Sequence, residues 1–353
     1  MKNKIKILFF INTVTSYQKN FFKFLNFFFT VRIIFYSRLY QNYNFEIPND
    51  RKFTFIDNVK NPKKIIFLIL KNFKPNFVIL GGYRLRYNSF IIKNIKKKKI
   101  KYFFWLERIN SAKKIKLIIM KLIFKKILSK SDGILAIGNE AKRFYKKFNQ
   151  KTFNLPYSIS LKKKIKKEYF ANGKINFLFV GQLIERKGID ILLKAIKRLS
   201  KTEYFSNINF TILGEGNYKK KILQISKKYK NIKYYPFCKE PKLKNIYLKN
   251  DVFVLPSKFD GWGVVLMEAM KYKMGIILTK NVGAKEILRN TSSIVIKDND
   301  KNLHDAVVYY LRNKKKIIDH GKKNHLLLQY SLCNTYNAVN KFRKIFNEKK
   351  FIN

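Results

Sequence analysis

The chain has 353 residues, enough for about two domains of ordinary size, and its hydrophobic fraction of 46% can fill real cores. Lys and Arg number 77 against 21 Asp and Glu, giving a formal charge of +56. These basic residues are spread along the whole chain without an RNP, zinc-finger or basic-zipper pattern, which excludes sequence-specific reading of nucleic acid but leaves attraction to anionic lipid or phosphorylated substrates open. Two distant cysteines, Cys238 and Cys333, indicate neither a disulfide framework nor a zinc site and fit a reducing cytoplasm.

In chain order, the first predicted element is a buried strand over residues 5–11, since the basic start lacks the small-residue cleavage site of a signal peptide. Residues 21–35 are too short to cross a bilayer and are split into a helix ending near Phe28 and a strand over 31–36. Short apolar runs then alternate with Lys-rich segments of helical period. The further predicted strands are 52–56, 77–80, 101–106, 133–137, 176–180, 209–213, 233–235, 252–255, 275–279 and 293–296.

Continuous apolar strands that alternate with helices are typical of parallel sheets covered on both faces, so the sequence predicts an α/β protein with two doubly wound domains. The boundary falls between residues 158 and 174, which are charged and lack a strand pattern. We therefore predict a first domain over 1–165, a second over 166–330 and a helical tail over 331–353, with helix throughout from Lys314 onward.

Three turns in the second half are candidate ligand sites, because ligands of open parallel sheets bind beyond the carboxyl ends of strands. In the first, Gly181 is followed by Arg186 and Lys187, and a lysine there can meet a diphosphate; a loop with surface lysines is the alternative. In the second, Gly214 and Gly216 lie between a strand and a helix, a weak signal because glycine is common in such turns.

The third turn joins strand 252–255 to a helix beginning near Val264. This turn and the helix together carry two acidic residues eight positions apart, Asp260 and Glu268. Asp260 lies in the turn, and Glu268 lies one turn or more into the helix. A carboxylate within the run VVLMEAM is costly to bury unless hydrogen bonds are donated to it. Sugar hydroxyls of a bound nucleotide would serve, and a backbone cap or a lysine partner is equally compatible with the spacing.

Four segments of the second half, in order, carry a family resemblance: FVGQLIERKGIDILLKA, ILGEGNYKKKI, VFVLPSKFDGWGVVLMEAM and GIILTKNVGAKEIL. Together they resemble the retaining glycosyltransferases of family 4, which have the GT-B fold. The first half is similar through SYQKNFFKFL, VRIIFYS, VILGGY, FFWLE and ILAIGNEAKRFY. The resemblance implies two Rossmann-like domains facing a central cleft, the first binding the acceptor and the second binding the nucleotide-sugar donor.

The family's Glu-x7-Glu motif falls on Asp260 and Glu268. By this resemblance Glu268 would hold the ribose hydroxyls, and Lys187 would contact the diphosphate. Asp260 and the backbone N–H groups of three neighbours would meet the donor sugar. Those neighbours are Gly261, Trp262 and Gly263.

The same resemblance places Gly214 to Gly216 and the turn at Phe237 beside the nucleobase. Two of the departures from the family pattern concern the donor site: Asp260 is one methylene shorter than the usual glutamate, and Gln182 stands where many members carry a second phosphate-binding arginine, which Arg186 would have to replace. Glu107, beyond a first-domain strand, is a candidate polar group facing the cleft. A strand-end glutamate paired with Arg108 or a lysine is the favoured alternative.

The implied activity is transfer of a sugar from a nucleoside-diphosphate sugar to a glycan or lipid-linked acceptor, with retention, in cell-surface polysaccharide or lipopolysaccharide synthesis. Lys187, Asp260 and Glu107 are the candidate catalytic residues, and no cofactor or metal is expected. A catalytically degenerate GT-B protein or basic scaffold that binds polyanions or membrane is the competing class. A sugar-nucleotide epimerase or phosphorylase is a third possibility within the same fold.

Two further patterns bear on metal and membrane binding. The Asp298–Asp300 run has the spacing of a metal-binding Asp-x-Asp motif, but an acidic turn before a helix is better interpreted as a helix cap. Residues 111–130 form a basic amphipathic pattern that either lies on anionic lipid or buries one face on the first domain, the second being slightly favoured. The expected location is the cytoplasm, with peripheral contact to the inner face of the plasma membrane as an option.

Overall fold

The structure, a computed structural model, describes residues 4–347 apart from 14, 38, 41–42, 45–52, 58, 83–84, 111–121, 123, 162–164, 172, 240 and 290–291. The chain divides into two compact units. Unit 1 comprises Met1–Ser160 together with Leu332–Asn353, and unit 2 comprises Leu161–Ser331. The basic amphipathic segment 111–130 lies largely outside the described residues.

Unit 1 is built on a seven-stranded parallel sheet with the strand order β5-β2-β1-β6-β7-β8-β9. Its strands are β1 Lys6–Ile11, β2 Thr30–Phe35, β5 Phe53–Phe55, β6 Phe77–Gly81, β7 Lys101–Glu107, β8 Gly133–Ile137 and β9 Thr152–Asn154, with a separate antiparallel pair, β3 Leu39–Tyr40 and β4 Tyr43–Asn44. Its first helices are α1 Ser16–Leu25, α2 Pro62–Phe73, α3 Leu85–Lys97 and α4 Asn139–Lys146. The central strands β6 and β8 are buried along their whole length, as strands covered on both faces must be.

Unit 2 has a six-stranded parallel sheet with the order β12-β11-β10-β13-β14-β15. Its strands are β10 Ile175–Val180, β11 Ile208–Leu213, β12 Ile232–Tyr235, β13 Val252–Leu255, β14 Gly275–Thr279 and β15 Ile294–Ile296. Its helices are α5 Ile189–Leu199, α6 Lys219–Lys228, α7 Lys242–Lys249, α8 Val264–Lys271, α9 Asp300–Arg312 and α10 Lys314–Tyr330. The predicted class, two doubly wound α/β domains, is confirmed.

The last helix, α11 Thr335–Asn347, belongs to unit 1 and does not form a tail of its own. Phe342 on α11 is fully buried and stacks on Phe346 with ring centroids 4.3 Å apart. Phe346 in turn lies 5.1 Å from the ring of Phe77 on β6. The expectation of unbroken helix from Lys314 onward was wrong: helix ends at Tyr330 and resumes at Thr335.

That break is made by backbone pairing within unit 1. The N–H of Ile159 donates to the carbonyl of Cys333 at 2.8 Å, and the N–H of Thr335 donates to the carbonyl of Ile159 at 3.1 Å. They form an isolated parallel bridge between Ile159 and Asn334, and the chain turns at 331–333 instead of continuing as helix. Among the described residues, no helix is both long enough and apolar enough to cross a membrane.

Candidate functional site

The strand order of unit 2 reverses beside β10, the first strand of that unit. β11 pairs with one edge of β10, and β13 pairs with the other. The loops that leave the carboxyl ends of β10 and β13 therefore diverge to opposite faces of the sheet, and the crevice between them is the usual ligand site of an open α/β sheet. Two of the three predicted turns start at this point.

The loop after β10 packs against the loop after β13, and their backbones approach most closely at Gly188. This residue follows the 3-10 turn Glu185–Lys187 and has φ +72°, and a Cβ there would lie 1.8 Å from the carbonyl oxygen of Pro256. Only glycine fits such a left-handed position against backbone. The N–H groups of Lys258 and Phe259 donate to the carbonyl of Arg186 at 3.0 and 3.3 Å, so the two loops are joined by their backbones.

This packing brings Lys187 and Asp260 into an ion pair. Lys187 Nζ lies 2.5 Å from Asp260 Oδ2, and the two side chains are only 14% and 9% exposed. The backbone of Asp260 is held in place by its N–H, which donates to Asn281 at 3.3 Å, and by its carbonyl, which accepts from Gly283 at 3.1 Å. The sequence predicted a role for each residue separately, and the structure places them in direct contact.

Arg186 lies beside the same pair. Its guanidinium donates from Nη1 to the carbonyl of Phe259 at 3.1 Å and from Nη2 to Oε1 of Gln182 at 3.3 Å. Many family members carry an arginine at the position of Gln182. Here the guanidinium of Arg186 contacts the Gln182 side chain and so places a positive charge beside that position. Nearby, Lys258 pairs with Glu185 at 2.6 Å and with Asp190 at 2.9 Å.

Glu268 lies in the second turn of α8, which begins at Val264 as predicted. Its Oε2 accepts a hydrogen bond of 2.7 Å from the hydroxyl of Tyr247 on α7. The sequence did not point to Tyr247, because it lies 21 residues upstream in a Lys-rich helix and only the folded chain brings the two together. Glu268 itself is half-buried.

The glycine turn after β11 packs directly on the loop after β10. A Cβ at Gly214 would lie 1.8 Å from the carbonyl oxygen of Gly181, and the N–H of Leu183 donates to the carbonyl of Glu215 at 2.8 Å. Gly216 lies in the turn that precedes α6. Half-buried Phe237 follows β12 at the same edge of the sheet. The three predicted turns and the turn at Phe237 therefore share one edge of the unit 2 sheet, at the carboxyl ends of neighbouring strands.

The turn before α8 is also closely packed. Trp262 is 2% exposed, its carbonyl accepts from the N–H of Ala284 at 2.7 Å, and its indole nitrogen is buried without a hydrogen-bond partner. Gly261 lies against Gly283, and Gly263 offers no side chain to cap the helix, so the first N–H groups of α8 are not bound by a cap.

Two other candidate sites from the sequence, Glu107 and the Asp298–Asp300 run, make contacts that stabilise their own units. In unit 1, Glu107 ends β7, and its carbonyl accepts from the hydroxyl of Tyr145 at 2.7 Å, while Arg108 pairs with Glu140 at 2.5 Å. In unit 2, the side chain of Asn299 caps α9 by accepting from the N–H of Asn302 at 2.8 Å, and Asp300 pairs with Arg198. The Asp298–Asp300 run is thus a helix start, with the cap supplied by its asparagine.

Residues 161–324 match the family described as Glycosyl transferases group 1. This match covers nearly the whole of unit 2. A glycogen synthase of Aquifex aeolicus is 30% identical over 114 residues, which are 32% of this chain and 24% of that protein. An uncharacterized glycosyltransferase of Methanocaldococcus jannaschii is 26% identical over 238 residues, 65% of this chain and 63% of that protein. The matches therefore span from about a quarter to under two thirds of these curated relatives.

Solved structures extend the likeness to nearly the whole chain. HepE of Anabaena, in complex with UDP and glucose, superposes with a TM-score of 0.76 at 10% identity and covers 98% of this chain and 100% of that one. At this identity the likeness concerns the fold, which is the GT-B fold of glycosyltransferases. The predicted fold and the resemblance to group 1 enzymes are confirmed.

Proposed function

We propose that this chain is a retaining glycosyltransferase that moves a sugar from a nucleoside-diphosphate sugar to a glycan or lipid-linked acceptor. The observation that carries the proposal is the Lys187–Asp260 pair in the β10–β13 crevice, with Glu268 on the helix that begins beside it. The group 1 domain at 161–324 supports the same reaction class.

In this proposal the donor lies along the carboxyl edge of the unit 2 sheet. The diphosphate contacts the ammonium of Lys187, which Asp260 holds at 2.5 Å, and the guanidinium of Arg186 adds a second positive charge. Glu268 accepts the ribose hydroxyls, and the turns at Gly214 and Phe237 flank the base. The backbone N–H groups at 261–263 face the sugar, where the start of α8 contributes a positive dipole end.

Catalysis then depends on positioning and on stabilising the leaving diphosphate. The bond between the anomeric carbon and the diphosphate oxygen breaks, the bond between that carbon and the acceptor oxygen forms on the same face, and the acceptor proton passes to the diphosphate. Lys187 and Arg186 neutralise the charge that develops on the leaving group, so we propose that the reaction needs no metal ion.

The acceptor belongs to the same proposal. A glycan or lipid-linked acceptor, used in surface polysaccharide or lipopolysaccharide synthesis on the cytoplasmic side of the membrane, fits the resemblance of the first half of the chain. Contact of segment 111–130 with an anionic membrane surface would serve a lipid-linked acceptor. Glu107 remains a candidate for the acceptor side.

The first test is thermal stabilisation of the full chain by UDP-, GDP- and ADP-sugars, with Glu268→Ala beside wild type. A ligand present at 100 times its Kd stabilises the native state by about 2.7 kcal/mol, which a melting curve detects. Glu203→Ala is the matched control, because Glu203 is an exposed glutamate of the same unit. We expect one nucleotide class to stabilise wild type and the Glu203→Ala variant but not Glu268→Ala.

The opposite result would favour the competing class. If no donor stabilises the wild-type chain at low salt, and the chain binds any polyanion with a steep salt dependence that ignores Glu268, the protein is a binding protein and the proposed transfer is wrong. Where a donor is found, the anomeric configuration of the product, measured by NMR, decides between retention and inversion.

A further inference from the structure

The carboxylate of Glu268 is held by a buried hydroxyl on a neighbouring helix. The Tyr247 hydroxyl donates to Glu268 Oε2 at 2.7 Å, and Tyr247 is 1% exposed. An ionised carboxylate only accepts hydrogen bonds, so the phenol proton points at Oε2. A charged acceptor makes this one of the stronger kinds of hydrogen bond in a protein.

The ring that carries this hydroxyl cannot turn away. Tyr247 stacks on Tyr272 with centroids 5.3 Å apart and an interplanar angle of 18°, and its centroid lies 6.4 Å from that of Phe253 on β13. Tyr272 is itself buried and closes the end of α8, where its N–H donates to the carbonyl of Glu268 at 3.2 Å. Moving the hydroxyl would break aromatic packing between α7, α8 and the sheet.

The backbone of Tyr247 is fixed as well. Lys167 Nζ donates to the carbonyls of Tyr247, Leu248 and Asn250 at 3.2, 3.3 and 2.5 Å, at the C-terminal end of α7. A cation at that end satisfies carbonyls that have no partner within the helix and complements the helix dipole. Both the ring and the main chain of Tyr247 are therefore held independently of Glu268.

We propose that Tyr247 is a positioning residue for the donor: its hydroxyl fixes the Glu268 carboxylate in the orientation that accepts the ribose hydroxyls of a nucleoside diphosphate. This inference rests on the proposed function. The terminal torsion of a glutamate is broad, so a free carboxylate would sample many orientations and lose that freedom on binding. A carboxylate already oriented by Tyr247 binds more tightly, because less ordering remains to be done.

A purely structural role for the Tyr247 hydroxyl would lead to a different experimental result. If the hydroxyl served only to satisfy a buried polar group, its loss would lower stability and leave the preference for ribose unchanged. If it orients Glu268, its loss acts on the ribose hydroxyls and spares the phosphates and the base. The ratio of affinities for a ribonucleotide and its 2′-deoxy analogue separates these two roles.

The experiment uses Tyr247→Phe, which keeps the ring stack and removes only the hydroxyl. Calorimetric Kd values are measured for UDP, GDP and ADP with the full chain, and then for the 2′-deoxy form of the tightest of the three. Tyr310→Phe is the matched control, since Tyr310 is another fully buried tyrosine of unit 2, whose hydroxyl contacts His320 at 2.8 Å, away from the crevice.

We expect Tyr247→Phe to weaken binding of the ribonucleotide about 5- to 10-fold, within the net range of an ordinary hydrogen bond, because the hydroxyl acts on the ribose only through Glu268. Binding of the 2′-deoxy form should weaken much less, so the preference for ribose falls. Tyr310→Phe should keep wild-type affinities for both nucleotides.

Three results would overturn the inference. Tyr247→Phe could bind both nucleotides as wild type does, or it could weaken both by the same factor, and either result leaves the hydroxyl a structural group. If the wild-type chain binds none of the three nucleotides, the proposed function itself fails and the inference falls with it. The two failures are distinguishable, because the first two results require a wild-type chain that binds.

Discussion

Lys187 and Asp260 form a 2.5 Å ion pair across the crevice where the strand order of unit 2 reverses, although 73 residues separate them in the chain. Neither residue belongs to a regular strand or α-helix, so the contact depends on how their two loops are packed. Gly188 and Pro256 make that packing, and the pair is largely shielded from water. In the proposed function, a pair whose two charges are already held in position would receive a phosphate without large rearrangement.

Removing the ammonium should weaken binding of the diphosphate without affecting recognition of the nucleoside. For Lys187→Met we expect about 10- to 100-fold weaker binding of the nucleoside diphosphate that stabilises wild type best, the usual cost of a hydrogen bond to a charged group. Affinity for the corresponding nucleoside, which carries no phosphate, should stay unchanged. Lys301→Met, which removes one exposed lysine of α9, controls for the change in overall charge and should bind as wild type does.

Removing the carboxylate should instead cost stability. Asp260→Asn leaves the ammonium of Lys187, only 14% exposed, without the carboxylate that pairs with it, and we expect a loss of about 3 kcal/mol in the free energy of unfolding. The double variant Lys187→Met with Asp260→Asn should recover part of that loss, because no unpaired charge then remains. Denaturant unfolding of the four proteins measures the coupling, and additive effects would show that the pair contributes nothing.

The elements with the clearest patterns could be predicted from the sequence. Strands β8, β13 and β14 were predicted residue for residue, because apolar runs of this short length within an alternating strand–helix pattern favour buried strands. The helix expected to end near Phe28 stops at Leu25, since Asn26 turns back to accept from the N–H of Val31 at 3.3 Å. The aromatic run after Asn26 hides that turn.

The contacts of the site are long-range and could not be predicted in the same way. Asp260 and Glu268 were singled out by their spacing together with the family resemblance. Tyr247 is one of several tyrosines in Lys-rich segments, and only the packing of α7 on α8 selects it. The break at 331–334 carries no glycine or proline, and its cause is a pairing with Ile159 that no local signal announces. Local patterns therefore indicate the elements, and the fold decides which polar groups meet.

The close approach of Gly188 to Pro256 can be tested by adding one methyl group. Gly188→Ala would place a Cβ 1.8 Å from a backbone oxygen at φ +72°, so the two loops must separate. Gly173→Ala is a matched control, because Gly173 has a similar φ of +69° with nothing within 4 Å of its Cβ position. The control should lose about 1–2 kcal/mol, the cost of a left-handed alanine.

Gly188→Ala should lose several kcal/mol more than the control, and its nucleotide affinity should fall as Lys187 moves away from Asp260. The measurement is denaturant unfolding of both variants, followed by nucleotide binding. Equal losses in the two variants would mean that the clash relaxes at no cost and that the packing of the two loops is not tight.

The last helix, α11, should be essential for the stability of unit 1. Phe342 is fully buried against Phe9, Phe21 and Phe29, with centroid distances of 6.0, 5.9 and 5.6 Å. Phe342→Ala should destabilise by about 3–5 kcal/mol, as truncation of a buried phenylalanine does. Tyr336→Ala on the same helix is the control, because Tyr336 is 65% exposed and its loss should be nearly neutral in urea unfolding.

The last prediction concerns pH and a buried histidine of α10. His320 is 7% exposed, its Nδ1 lies 2.8 Å from the hydroxyl of Tyr310, and burial lowers the pKa of the imidazole, with Lys316 and Lys323 adding to the effect and Asp319 opposing it. Because the folded chain resists a proton that the unfolded chain accepts near pH 6.5, the free energy of unfolding should fall as pH drops below about 6.5. Above that pH this contribution is fully present, since His320 is neutral in both states.

His320→Asn should flatten the pH dependence of the free energy of unfolding between pH 7.5 and 5. Any loss of stability that the substitution itself causes at pH 7.5 does not affect this test, because only the slopes with pH are compared. His325 adds a slope of the same sign, since burial lowers its pKa too, and the variant should therefore keep part of the dependence. An unchanged slope in His320→Asn, measured by urea unfolding at each pH, would show that His320 takes up its proton equally well in the folded chain.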